Sequence, residues 1–416
     1  MSDAATAVLD PGQAMLLADD RLSRLLETLN GGGEETRVVG GAVRNALLNL
    51  PVAEVDLATT MPPDETVRRA RAAGFHPVPT GVEHGTVTVV IDGKPFEVTT
   101  LREDVETDGR HAKVKFGRDW RRDAERRDFT MNALSLKGGG TVVDFVGGLE
   151  DLAARRIRFI GNAETRIRED YLRILRFFRF HASYGEGLMD AAGLAACIRL
   201  KDGLSALSRE RIRAELMKLL MGRRAVPALA AMSEAGILGA VLGGVPLLAS
   251  YSNLVKAEIA AGQPKDAVRH LGALGVFIVE DAERLKERLR LANAEYDRLR
   301  SMGDRWWRIS PEAGEQAAKA LLYRAGPEHY RDRVLVALAR SQAKDDDRAW
   351  LDLAALPDRW TAPKFPLAAK DFIERGVAKG PALGAALSRA EAAWIAAGFP
   401  AEPAKLDAIA DAAAKA

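Results

Sequence analysis

Two carboxylates separated by one residue, Glu54 and Asp56, are the first side chains in this sequence whose spacing suggests chemistry. In a strand, positions two apart face the same side, so the two acids would point outward together. Such a pair offers hard oxygen ligands to a divalent cation, and Glu97, in a neighbouring strand-like segment, can join it. Upstream, Gly40-Gly41-Ala42-Val43-Arg44 sets a glycine pair between a short apolar run and a helical stretch. Glycines let the backbone approach an anion closely, a helix N-terminus supplies N–H groups and a positive dipole, and Arg44 adds a charge-assisted contact. A cation site beside a phosphate cradle is what nucleotidyl transfer needs: one metal activates a 3′-hydroxyl, the other holds the triphosphate and leaving pyrophosphate. Each piece alone has a plainer explanation. A glycine pair is often only a turn, and exposed acids are often only solvated.

Two further strings carry paired charges. In Arg126-Arg127-Asp128-Phe129-Thr130-Met131-Asn132, the arginines can orient a triphosphate and ribose, or form a local ion-pair network. In Glu169-Asp170-Tyr171-Leu172-Arg173-Ile174-Leu175-Arg176, helical spacing puts Asp170 with Arg173, and Arg173 with Arg176, on one face. A surface helix with Glu169–Arg173 and Asp170–Arg173 pairs satisfies the same pattern. The sharper alternative is base selection. Cytosine and adenine present an amino donor beside a ring-nitrogen acceptor, whereas uracil and guanine present the reverse. A carboxylate beside a guanidinium therefore matches C and A, and a mismatch leaves buried polar groups unpaired.

The elements that must position these groups are legible in outline. Residues 1–30 read as mostly helix, with apolar Leu16, Leu22, Leu25, Leu26 and Leu29, stopped by Gly31-Gly32-Gly33. Strand signals concentrate between about residues 54 and 146, where Thr86 to Ile91 and Phe96 to Thr100 flank the turn pair Asp92-Gly93. Polar, charged Arg102 to Trp120, with Asp108-Gly109-Arg110-His111, reads as a loop. Beyond about residue 150 helical spacing takes over, Ser208 can cap a helix, and Pro357 to Pro366 marks a boundary before a small final unit. The last dozen, Ala-rich residues predict a frayed end.

Composition narrows the classes. A chain of 416 residues exceeds one hydrophobic core, and Lys plus Arg at 60 against Asp plus Glu at 58 excludes a polycation while allowing a local basic face. Cys197 is the single cysteine, which excludes internal disulfides and multi-cysteine zinc sites. None of the six histidines precedes an aspartate, so a His-Asp phosphohydrolase lacks support. The start has no signal-peptide character and no stretch has membrane-spanning length, so a cytoplasmic setting is expected.

Gly40-Gly41, Glu54-Val55-Asp56 and Glu97 together resemble the nucleotidyltransferase head of the DNA polymerase beta superfamily. Gly40 to Arg44 and Asp56-Leu57-Ala58-Thr59 are similar to the bacterial class II group, the tRNA CCA-adding enzymes and poly(A) polymerases. Three positions differ: Glu54 stands where that group usually has Asp, Asn45 where Asp is frequent, and His111 where many members have Arg. The resemblance implies an α+β chain, with a head of mixed or antiparallel sheet (1–150) before a helical neck (151–225), body (226–355) and tail (356–416). It implies catalysis by Glu54 and Asp56 with two Mg²⁺ ions, assisted by Glu97. Gly40, Gly41 and Arg44 would hold the triphosphate, Arg127 and Asp128 the ribose end. Asp170 and Arg173, with Arg176 beside them, would template CTP and ATP. Asp108 and Arg110 fall in a flexible element that the group associates with the switch from C to A addition. The implied partner is tRNA, held by the helical half, with Arg209, Arg211, Arg213, Lys218, Arg223 and Arg224 either meeting its phosphates or merely solvated. Trp306 and Trp307 are expected in the core, with stacking on RNA the lesser alternative. A poly(A) polymerase or A-only enzyme shares these motifs, and a non-catalytic RNA-binding relative is the alternative of another class.

Overall fold

The computed structural model describes residues 4–10, 13–81, 85–104 and 114–415; Asp108, Arg110 and His111 lie outside them. The chain divides into two compact units, Met1–Leu207 with Gly222–Arg224, and Ser208–Met221 with Ala225–Ala416.

The first unit is built on an eight-stranded sheet. Its strands, in chain order, are β1 (Ala5–Val8), β2 (Thr36–Val39), β3 (Asp56–Thr59), β4 (His76–Gly81), β5 (Thr86–Ile91), β6 (Lys94–Thr100), β9 (Ser135–Leu136) and β10 (Thr141–Asp144), with β7 (Arg102–Asp104) and β8 (Val114–Phe116) forming a separate pair. Across the sheet the order is β1-β10-β9-β2-β3-β6-β5-β4. Asp92 and Gly93 turn the β5–β6 hairpin with φ of +48° and +77°, the left-handed conformation that this pair tolerates. Strand alternation then buries Val87, Val89 and Ile91 of β5 and Phe96 and Val98 of β6, leaving Glu97 on the open face.

Around the sheet lie α1 (Asp20–Leu29), α2 (Gly41–Leu47), α3 (Pro63–Ala72), α4 (Trp120–Glu125), α5 (Gly148–Ala153), α6 (Ala163–Glu169) and α7 (Leu172–Tyr184). In α1, Leu22, Leu25, Leu26 and Leu29 are all buried, and Asp19 caps its N-terminus by accepting from the Arg21 N–H. The helical expectation for residues 1–30 fails at Ala5–Val8, an edge strand paired with β10. Four residues are too few to show a period, and pairing with a distant strand decides their conformation.

The second unit is helical. Ser208 caps the helix Arg209–Leu220, as expected. Inside this unit an ion network is buried: the Arg269 Nε–H donates to Glu258 at 2.7 Å, and Arg298 donates to both oxygens of Asp332 at 2.8 and 3.0 Å. Toward the end, Phe372, Ala386, Ala390, Ala410 and Ala413 form their own apolar cluster. The expected frayed terminus is instead the helix Pro403–Lys415, because small alanines pack flush against Pro381–Ala396 and Arg375 pairs with Asp407 and Asp411. Of the two adjacent tryptophans, Trp306 donates its indole N–H to the Phe277 carbonyl, while Trp307 is 57 % exposed, contrary to the core placement expected for both. Both sit in a three-residue 3₁₀ turn, whose geometry sends consecutive side chains to different faces.

Gly148, at the start of α5, lies where a Cβ would come within 2.9 Å of the Thr130 carbonyl carbon and 3.1 Å of Leu134. Gly148→Ala should lower the urea unfolding free energy by roughly 1–3 kcal/mol, through displacement of the Thr130–Asn132 turn.

Candidate active site

Among the described strands, β3 and β6 form the one parallel pair, and their register opposes Asp56 to Glu97. Neighbouring strands run roughly 4.8 Å apart, and opposed residues share a face, so the two carboxylates stand side by side. Glu54 lies outside the strand, which begins at Asp56; it is exposed, with Val55 buried between the two acids. The expected strand face shared by Glu54 and Asp56 therefore does not form, and Glu54 acts on Asp56 through its charge from the segment before the strand. Asp56 stays accessible, yet protein packs closely around its base. That partial desolvation, then the charge of Glu97, then that of Glu54, raises its carboxyl pKa, and Arg127 opposes the shift.

Gly40 follows β2 and precedes α2 with φ +70° and ψ −127°, a conformation costly for other residues. A Cβ there would approach Arg127 Nη1 at 3.1 Å, so the glycine lets that guanidinium close on the backbone. No side chain caps α2. Arg127 is steadied by Asp123, to which its Nη2 donates at 3.2 Å, and by the Asn132 carbonyl, to which Nη1 donates at 3.2 Å. Arg126 is held by Asp123 as well.

Arg44 and Asp128 occupy internal positions. Arg44 is 6 % exposed and donates to the Asn132 side-chain oxygen at 2.7 Å, to Asn45 and to the Tyr184 hydroxyl at 2.8 Å. Its guanidinium also lies 3.9 Å from the Tyr184 ring centroid, and burial lowers its pKa. Asp128 is 8 % exposed; one oxygen accepts from the Phe129 N–H and the Asn132 amide, the other from Arg176 at 2.7 and 2.6 Å. Burial alone would raise the Asp128 pKa, but Arg176 and these donors bring it below the ordinary value. Both residues brace α7 against the Asp128–Asn132 segment. Phe129, Phe159 and Phe177 stack beneath them, with Phe129 and Phe159 centroids 4.8 Å apart.

The expected single helix carrying Asp170 and Arg173 is interrupted. Asp170 ends α6 in an extended conformation (φ −156°, ψ 106°), and Arg173 sits in the first turn of α7. A turn still joins them, since the Arg173 N–H donates to the Asp170 carbonyl at 3.0 Å. The Arg173 side chain pairs with Glu169 rather than Asp170, and its Nη1 also donates to the Arg166 carbonyl at 2.9 Å. An Asp whose own carboxylate accepts the Leu172 N–H stabilises this break. The Glu169–Arg173 pair is the one that helical spacing offered, whereas Asn132, Asp123 and Tyr184 are site-building residues that motif spacing did not single out. Asn132 and Glu169 lie within the charged strings and Asp123 beside them, while Tyr184, at the far end of α7, left no sequence signal.

Asp56, Glu97 and nearby Glu54 offer oxygen donors only, which suits a hard divalent cation. Among the described residues, no group of three or more His, Cys, Asp or Glu is arranged to hold a metal alone. Binding by one or two carboxylates, completed by substrate phosphates and water, is the habit of Mg²⁺. The donor set therefore fits a cation shared with a triphosphate.

Residues 36–158 match a family model described as Poly A polymerase head domain, and residues 189–251 match one described as Probable RNA and SrmB- binding site of polymerase A. CCA tRNA nucleotidyltransferase 1, mitochondrial, of Mus musculus is 32 % identical over 95 % of this chain and 90 % of its own length. The CCA-adding enzyme of Limosilactobacillus fermentum is 32 % identical over 88 % of this chain and 89 % of its own. Among solved structures, the Bacillus stearothermophilus CCA-adding enzyme in complex with CTP matches with a TM-score of 0.72 and 28 % identity, covering 93 % of this chain and 94 % of that one. The Thermotoga maritima CCA-adding enzyme complexed with tRNA, at 18 % identity and a TM-score of 0.69, shares the fold over 98 % of this chain and 99 % of that one. Nucleotidyltransferases of this kind generally use divalent metal ions.

Ionising Asp56 beside Glu97 and Glu54 costs free energy, as its raised pKa records. Because the folded pKa lies above the unfolded one, Asp56 lowers stability progressively as pH rises through that range. In metal-free buffer, Asp56→Asn should raise the urea midpoint at pH 7, by up to about 1 kcal/mol of stability, with the gain vanishing toward pH 3. An Asp56→Asn protein less stable than the parent at pH 7 would contradict this electrostatic description.

Proposed function

The chain belongs to the family of CCA-adding tRNA nucleotidyltransferases, and on that footing we propose that it adds C and A, from CTP and ATP, to the 3′ end of tRNA. The observation that carries this reading is the β3–β6 register, which sets Asp56 beside Glu97, together with the charge of Arg127 acting on Asp56 and the close approach of Arg127 to Gly40. The 3′-hydroxyl oxygen attacks the α-phosphorus; the O–P bond forms as the bond to the β-phosphate oxygen breaks. Pyrophosphate departs, and the hydroxyl proton passes to solvent. Asp56, Glu54 and Glu97 would hold two Mg²⁺ ions, which when bound activate the hydroxyl and neutralise charge on the triphosphate.

The remaining work falls to this chain's own groups. Gly40 and Gly41 bring backbone close to the triphosphate, and Arg127 supplies a guanidinium already aimed by Asp123. Asp128 and Arg44, buried and cross-bonded, hold α7 in place, and from there Asp128 would orient the ribose end and Arg44 the triphosphate. Base selection rests on Asp170 and Arg173 across the α6–α7 break. With Nη1 committed to Glu169 and the Arg166 carbonyl, Arg173 presents Nη2 and Nε donors at a fixed angle. The helical unit would meet tRNA by shape and backbone charge.

The test is incorporation into a tRNA transcript lacking its 3′ CCA. CTP alone should give two additions, and CTP with ATP should complete the end. Long A tracts from ATP without CTP would instead indicate a poly(A) polymerase, and absence of Mg²⁺-dependent pyrophosphate release a non-catalytic RNA binder. Asp56→Ala should abolish incorporation while tRNA binding persists. Asp170→Ala should weaken CTP-over-UTP discrimination by about 1–3 kcal/mol, and an unchanged preference would move base reading to another residue.

A further inference from the structure

A cavity of about 930 Å³ within the second unit is lined by five arginines. Arg300 comes from the last turn of the helix Asn293–Gly303, Arg305 precedes the turn Trp306–Arg308, and Arg308 ends it. Arg324 and Arg333 come from the two sides of the Gly326 kink in the helix Gly314–Arg340. The kink has a definite cause, since Gly326 adopts φ +76° and Pro327 follows it.

The charge in this cavity is unbalanced. Two aspartates line it, and one of them, Asp304, is shared: its carboxylate lies 3.7 Å from Arg305 and 3.6 Å from Arg333. Arg300, Arg308 and Arg324 are exposed, and among the described residues none has an ion-pair or hydrogen-bond partner for its guanidinium. Arg333 is only 13 % exposed, and its Nε is buried without a hydrogen-bond partner. Burial lowers its pKa, Asp304 opposes that shift and the charge of Arg305 adds to it. Five planar guanidiniums around one space repel one another, and a multidentate anion relieves that repulsion while accepting their parallel N–H pairs. Phosphate oxygens match this donor geometry, and the volume admits more than one phosphate group.

We propose that this cavity is a phosphate-binding site, formed by Arg300, Arg305, Arg308, Arg324 and Arg333. The phosphate is either a backbone phosphodiester of RNA or a free phosphate. The RNA source rests on the tRNA reading above; the free-phosphate source does not.

The test uses the full chain and the double variant Arg308→Ala/Arg324→Ala, whose side chains are exposed and unpartnered, so its urea midpoint should match the parent. Filter binding of a tRNA transcript across a KCl series and calorimetry with inorganic phosphate are run on both proteins. If RNA occupies the site, the slope of log Kobs against log salt falls by about 0.9 for each lost contact, while incorporation at saturating tRNA is unchanged. If free phosphate occupies it, the heat of phosphate binding disappears and the tRNA slope stays. With the midpoint preserved, an unchanged slope and unchanged heat would overturn the proposal. So would an equal slope change in Arg68→Ala/Arg348→Ala, which removes two exposed arginines outside the cavity. Failure of the catalytic reading would show separately, as absent incorporation by the parent protein.

Discussion

Parallel pairing of β3 with β6, in the middle of the sheet, brings two carboxylates into neighbouring positions on its open face, an unfavourable contact that the rest of the head has to hold. Like charges on adjacent strands destabilise a sheet, so the pairing has to be held by other forces. Here Leu57 and Val98, each 1 % exposed, follow Asp56 and Glu97 in the same register and bury their surface directly beneath. Parallel strands cannot be joined by a tight turn. The connection therefore runs through α3 and the β4–β5 hairpin, which fixes both strands from outside. The raised Asp56 pKa is the electrostatic trace of this repulsion, and two oxygen donors held together in this way suit a hard cation.

A second constraint sets the distance scale of the site. Asp128, Arg176, Asn132, Arg44 and Tyr184 form a continuous chain of buried and half-buried hydrogen bonds from the head segment to α7. Asp128 is buried in this chain, and removing Arg176 would leave its charge uncompensated, so α7 has little freedom to drift. The groups at its N-terminal end, Arg173 with Glu169, inherit that rigidity. Selecting a base by an acceptor and a donor requires such rigidity, because discrimination is lost when the pair can adjust to the wrong edge.

Local patterns were legible in the sequence where local energies decide them. The Asp92-Gly93 hairpin, the apolar stripe of α1 and the Ser208 cap each follow from chain geometry within a few residues. The pair Asp56 and Glu97 was legible as two acids in strand-like segments, while their parallel register depends on partners forty residues apart. Elements decided by distant pairing were misread: Ala5–Val8 is a strand because β10 offers an edge, and the final helix is ordered because Arg375 and an alanine seam hold it. The break at Asp170 was hidden by a helical charge pattern, since a side chain accepting the Leu172 N–H outcompetes helix continuation. Arg44 and Asp128 were legible as charges, whereas their burial in one hydrogen-bonded network was not, because it depends on Tyr184 and Arg176 far along the chain.

The most direct measurement is Mn²⁺ binding by electron paramagnetic resonance, on the full chain with CTP present. The parent protein should hold Mn²⁺, and the combined Glu97→Gln and Asp56→Asn variant should lose it with folding intact. Equal Mn²⁺ binding by the parent and the doubly substituted protein would contradict cation binding by these two carboxylates.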